Sequence, residues 1–148
     1  MDWHWSDSFE SAFDALDHFL SGRSAPRGDW TGDEWGDYAS NRAGEILADF
    51  GTSDWRRLSD AWKGRPSIWQ QRLTELLLEG PPDQTVPLLL EMTRSSDGEV
   101  ACQAMKTLGY LYYWRKEYQQ ARQWYERAAE TGDEIARKLL EDLIREHP

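Results

Sequence analysis

Apolar residues recur at spacings of three and four along most of this chain, the pattern of helices that bury one face. Phe9, Ala12, Phe13, Leu16 and Leu20 predict an amphipathic helix over 6–21, stopped by Gly22. Ala43, Ile46, Leu47 and Phe50 predict another over 39–50, ended by Gly51. Ser53 or Thr52 is placed to cap a helix over 54–63, whose stripe is Trp55, Leu58, Ala61 and Trp62. After Gly64, Pro66 suits the first position of a helix over 66–79. Trp69, Leu73, Leu76 and Leu77 face inward there, and Gly80-Pro81-Pro82 makes a sharp stop. Asp83 reads as the cap of 84–94 (Val86, Leu89, Leu90), with Pro87 tolerated in the first turn. Ser96 or Asp97 caps 98–113, whose inward face is Val100, Ala101, Ala104, Met105, Leu108 and Leu111. Helices over 116–130 and 133–146 form a last antiparallel pair around Thr131-Gly132-Asp133. The expected fold class is all-α, about eight antiparallel helices joined by short connections.

The pattern lapses near residues 22–38. Residues 24–37 contain one proline, three glycines and no helical period, which predicts an irregular acidic, Trp-rich loop.

At 148 residues the chain is of ordinary size for one domain and needs no disulfide or metal staple. The reading is a single domain, 1–148, with an acidic N-terminal part (1–61) followed by helix pairs (62–148). Composition sharpens that division. Residues 1–61 carry 13 acids against five arginines, a net of −8, whereas 62–148 carry 14 acids against 12 bases, a net of −2. Such asymmetry predicts one negative face able to steer a basic partner. The whole chain, at −10, weighs against nucleic-acid binding through phosphates. Cys102 is the single cysteine and fits a reducing compartment. No run approaches the apolar length of a membrane helix, and the opening Met1-Asp2-Trp3-His4-Trp5 lacks the regions of a secretory leader. These features predict a cytoplasmic protein without a membrane partner.

Chemistry is mostly excluded. The phosphate-loop, dinucleotide, zinc-protease and nucleophile-elbow motifs are all missing. His4, His18 and His147 are far apart in sequence, and Cys102 lies beside an apolar stripe, where an inert packed thiol is expected. Asp29, Asp33, Glu34 and Asp37 are the densest acid cluster but lack the spacing of a calcium loop. The expectation is no catalytic residue, no metal and no cofactor. A carboxylate-based hydrolase is the weakest alternative, because 27 acids generate carboxylate pairs by chance.

The segment that draws attention is the acidic one. Trp30 and Trp35 stand among Asp29, Asp33, Glu34 and Asp37, with Tyr38 after them. Rigid aromatics supply interface area, and carboxylates beside them supply complementarity and a fast on-rate to a basic partner. The same rings could tuck back onto the helices and leave only the acids in water. Trp55, Trp62 and Trp69 lie on helical stripes and are expected in the core. Trp3 and Trp5 precede the first helix and could either staple the N-terminus or extend a binding face.

Asp97-Gly98-Glu99-Val100, with Ala104 and Leu108-Gly109, resembles the inner helix of a HEAT repeat. Tyr118, Ala121, Trp124-Tyr125, Ala128-Ala129-Glu130, Gly132 and Ala136 resemble a Sel-like repeat, a relative of the tetratricopeptide repeat. Both resemblances imply helix pairs stacked in order as a short α-solenoid. HEAT-like DNA glycosylases share such a fold, but they need a basic groove and this chain has the opposite charge. In size, charge and make-up the chain resembles the immunity proteins of bacterial polymorphic-toxin systems. That resemblance implies binding to one cognate protein toxin, basic and in many such systems a nuclease, by occluding its active site. The partner-binding residues would be Asp29, Trp30, Asp33, Glu34, Trp35, Asp37 and Tyr38, with Asp14 and Asp17 on the acidic face of helix 6–21. The alternative is a helical-repeat adaptor or chaperone that holds a peptide or helix in a concave groove.

Overall fold

The computed structural model describes residues 4–23, 25 and 29–148, apart from the side chain of Asp37. Trp3, Pro26, Arg27 and Gly28 lie outside the described residues. The protein is all-α: among the described residues there is no strand. The chain divides into two compact units, Met1–Gly80 and Pro81–Pro148, which part at the Gly80-Pro81-Pro82 stop.

In the first unit α1 spans Ala12–Ser21, shorter than the predicted 6–21. Ser11 decides the difference: its hydroxyl accepts the Asp14 N–H at 3.1 Å and caps the helix there. Before it, Trp5–Asp7 make only a 3-10 turn. Gly22 closes α1 in the left-handed region at φ 80°, and a Cβ there would meet Asp29 Oδ1 at 2.2 Å, so glycine is required twice over.

The predicted loop turns helical from Gly32 onward. A short α2 (Gly32–Glu34) continues through a π-helical stretch, Trp35–Ala39, into α3 (Ser40–Ala48). The cause is a reciprocal cap: Thr31 Oγ1 accepts the Glu34 N–H at 3.1 Å, and Glu34 Oε1 accepts the Thr31 N–H at 3.0 Å. Thr-x-x-Glu is a local start signal that outweighs the glycines after it.

Next come α4 (Thr52–Ala61) with its 3-10 tail Trp62–Gly64, and α5 (Ser67–Leu76) with its tail Leu77–Glu79. Neither Ser53 nor Thr52 caps α4. Gly51 stands at the cap position and Asp54 reaches back, accepting the Gly51 N–H at 3.0 Å. Its other oxygen accepts the Phe13 N–H at 3.1 Å. One carboxylate therefore sits at the positive ends of both α1 and α4, where helix dipoles favour it. Pro66 is the residue before α5 rather than its first.

Helix α1 packs against α3, α4 and α5. It can do so because Ala12, Phe13, Ala15, Leu16, Phe19 and Leu20 are all buried, covering a wide arc in which two alanines allow close approach. His18, half-buried on the same helix beside the Phe9 ring, has its pKa lowered by burial and by Arg23, against a raising effect from Asp17. A base whose folded pKa is depressed favours folding in its neutral form. That stability is present above the ordinary value of 6.5 and is lost as pH falls through and below it. The thermal midpoint should therefore drop between pH 7.5 and 5 more steeply than in His18→Gln; parallel curves would show that His18 contributes nothing.

The second unit is four helices, α6 (Pro82–Met92), α7 (Gly98–Trp114), α8 (Tyr118–Glu130) and α9 (Glu134–Glu146), each packed on the next. Asp83 does not cap α6; Pro82 opens it and Pro87 falls inside, on its exposed side. Asp97 caps α7 through the Glu99 and Val100 N–H groups, and Asp133 caps α9 through the Ala136 N–H at 2.8 Å. Small residues mark the helix contacts: Ala104, Ala121, Ala128 and Ala136 are fully buried. Cys102 is buried too, and burial raises its thiol pKa, which keeps it protonated and unreactive.

Candidate functional site

The predicted partner-binding residues separate into those the fold uses and those it leaves in water. Trp30 is buried; its ring stacks on Phe19 and its Nε1–H donates to the Phe19 carbonyl at 2.7 Å. Trp35 is buried as well, and its Nε1–H donates to Glu75 Oε2 at 3.2 Å. The expectation of these rings as surface anchors gives way to a packing role, because each indole finds a ring or cation partner and an acceptor within its own unit.

Arg72 organises this corner. It is 6% exposed, yet its guanidinium is satisfied: Nη1–H donates to the Leu20 carbonyl at 2.9 Å and Nη2–H to Asp29 Oδ1 at 3.0 Å. The Trp35 ring centroid lies 5.4 Å from it. A buried cation needs this set of partners to offset its lost hydration. The Arg72 hydrogen bond, and then the Trp30 N–H, hold the Asp29 carboxyl below its usual range. Asp29 is exposed at the surface but serves as a tether of residues 29–35 to α1 and α5.

The acids of α1 are also occupied. Asp14 accepts from Arg57 at 3.0 Å. Asp17 accepts from Arg65 through both oxygens, at 2.9 and 3.1 Å, and from Trp69 Nε1–H at 3.0 Å. The negative face expected on this helix is thus partly neutralised by arginines from the segment 57–65. Glu34 is engaged in its cap.

What remains open is smaller. Asp33 is exposed, Tyr38 is 52% exposed with Arg42 over its ring at 5.7 Å, and Asp7 and Glu10 are exposed before α1. Among the described residues, no group of three or more His, Cys, Asp or Glu side chains could hold a metal ion. No helix of the described residues is long and apolar enough to cross a membrane. Compared with family models, curated proteins and solved structures, the chain matches none.

The second unit holds a feature that sequence reasoning passed over. Tyr110, Tyr113 and Tyr125, with Leu139, Asp142 and Glu146, line a cleft of about 210 Å³. Tyr113 Oη–H points to Glu146 Oε2 at 3.4 Å, and its ring meets Tyr118 edge to face. Trp114, the next residue, is largely exposed. The signal was present as the aromatic run 110–114 with Tyr118 and Tyr125 after it. Helical spacing alone does not say that residues from α7, α8 and α9 converge.

Proposed function

We propose that this chain is a protein-binding inhibitor of the immunity type, which engages one basic toxin domain and acts by occlusion rather than by turnover. The single observation that supports it is the acid left exposed in the N-terminal part. Residues 1–61 carry a net charge of −8, and Asp7, Glu10 and Asp33 stay exposed after Asp14, Asp17, Asp29 and Asp54 are engaged by the fold. Exposed carboxylates give electrostatic steering, and an exposed aromatic such as Tyr38 gives an anchor. In this reading the second unit is a short helical-repeat stack, with HEAT-like and Sel-like pairs as its support, and the protein works in the bacterial cytoplasm.

The partition of the acids dictates the test. Neutralising Asp29 or Glu34 would disturb a tether or a cap, so the informative bait is Asp33→Asn with Tyr38→Ala, whose circular dichroism should match the wild type. Wild-type bait should recover one basic domain at one-to-one from the native host's lysate and suppress that domain's activity. The double variant should bind about tenfold or more weakly at low salt, chiefly through a slower on-rate. Recovery of several partners that survive high salt, with no effect of the variant, would replace inhibition by the adaptor reading.

A further inference from the structure

The tyrosine-lined cleft between α7, α8 and α9 has the composition of a cation site, and it is independent of the acidic residues invoked above. The Tyr110 and Tyr125 rings meet edge to face at 85°, with centroids 6.2 Å apart, and Tyr113 completes the aromatic lining. Tyr125 is almost fully buried and backs the cleft, so the ring surface open to a ligand is that of Tyr110 and Tyr113, and the negative potential of ring faces attracts a cation there. The titratable groups of the lining besides the tyrosines are the carboxylates Asp142 and Glu146. Asp142 pairs with Arg145 at 2.8 Å, but that arginine has 71% of its side chain exposed and is not part of the lining. The cleft is thus negative in formal charge while its surface is chiefly aromatic and aliphatic carbon.

That combination discriminates among cations. A primary ammonium is strongly hydrated and would exchange water for few acceptors here, whereas a quaternary ammonium has little hydration to lose and presents methyl groups to the rings. A guanidinium would need a carboxylate pair facing it as a fork, and Asp142 already has its arginine. At about 210 Å³ the cleft is smaller than the roughly 300–1,000 Å³ of sites for drug-sized ligands, so it suits a headgroup rather than a whole cofactor. We infer that the cleft formed by Tyr110 and Tyr113, backed by Tyr125, binds a quaternary ammonium group, with Glu146 supplying the charge complement.

The probe is choline, titrated into the full chain and read by the upfield ring-current shift of its N-methyl resonance. Its uncharged isostere 3,3-dimethylbutanol and guanidinium serve as competitors of matched size and charge. Choline should bind about tenfold more tightly than either, since a desolvated cation over aromatic faces gains that much. Glu146→Gln should weaken it several-fold and Tyr110→Leu about tenfold, with unchanged circular dichroism in both. Because Glu146 is exposed and Tyr110 is 39% exposed, neither change opens a core. Equal binding of the isostere would reduce the cleft to an apolar pocket and overturn the assignment, as would guanidinium binding as tightly as choline, or choline binding that ignores Tyr110→Leu. A peptide carrying trimethyl-lysine distinguishes the source of the group: tighter binding than choline places it on a protein side chain, and weaker binding on a free metabolite.

Discussion

Replacing Trp69 by alanine should cost the protein about 3–5 kcal/mol, the usual range for removing a buried aromatic. Trp69 is 1% exposed and contacts both members of the Asp17–Arg65 ion pair. Its Nε1–H donates to Asp17 at 3.0 Å, and the Arg65 guanidinium lies 5.6 Å from its ring centroid. The substitution therefore opens a cavity beneath α1 and also removes one donor from Asp17 and the ring beneath Arg65. Against a total stability of about 5–15 kcal/mol for an ordinary domain, that loss leaves little margin. Urea denaturation followed by circular dichroism measures it directly. Trp55→Ala is the comparison, since Trp55 is only half-buried, against Phe50, and should cost clearly less. A loss at Trp69 below about 1.5 kcal/mol would mean the site collapses around the gap, and its central role would be withdrawn.

Gly109→Ala should also destabilise, although alanine is the better helix former by about 1 kcal/mol. Gly109 lies inside α7 facing Tyr125, and a Cβ built there would stand 2.3 and 2.5 Å from two carbons of that ring. Tyr125 is itself almost fully buried and braced by Tyr110, so the ring has no easy way to yield. Overpacking of this kind costs about 3 kcal/mol, which leaves a net loss near 2 kcal/mol. Adding Tyr125→Leu should restore much of the deficit, a coupling of about 1–2 kcal/mol in a double-mutant cycle. Gly132 makes the contrast. Its φ of 93° demands glycine for backbone reasons, with no heavy atom within 4 Å of a built Cβ. A stabilising Gly109→Ala would show that α7 and α8 move apart freely.

These two sites illustrate what could be read in advance. Gly109 lies in the segment that resembles a HEAT helix and Tyr125 in the one that resembles a Sel-like repeat; the structure brings them together as one contact, with the glycine making room for the ring. The alanines at 121, 128 and 136 were expected at close helix contacts and are fully buried. Residues 32–37 read as loop in the sequence because two glycines and scattered acids resemble one, while Thr31-x-x-Glu34 starts a helix there. Trp62 and Trp69, expected in the core, are buried.

By itself, the sequence determined the all-helical class, most helix stops, and most of the residues that turn inward, although Leu90 stays exposed and Trp55 and Val86 only half-buried. Those features rest on periodicity and on capping within a few residues, interactions that the chain makes with its own neighbours. The tertiary structure alone decided what the charged and aromatic residues do. Asp17 meets partners 48 and 52 residues away, Asp29 meets Arg72 43 residues away, and Tyr110, Tyr113 and Tyr125 share a cleft with α9. An acid or a tryptophan can serve a surface or a core equally well. Which it serves depends on whether distant helices deliver a guanidinium, a carbonyl or a second ring to meet it, and no local pattern in the chain carries that information.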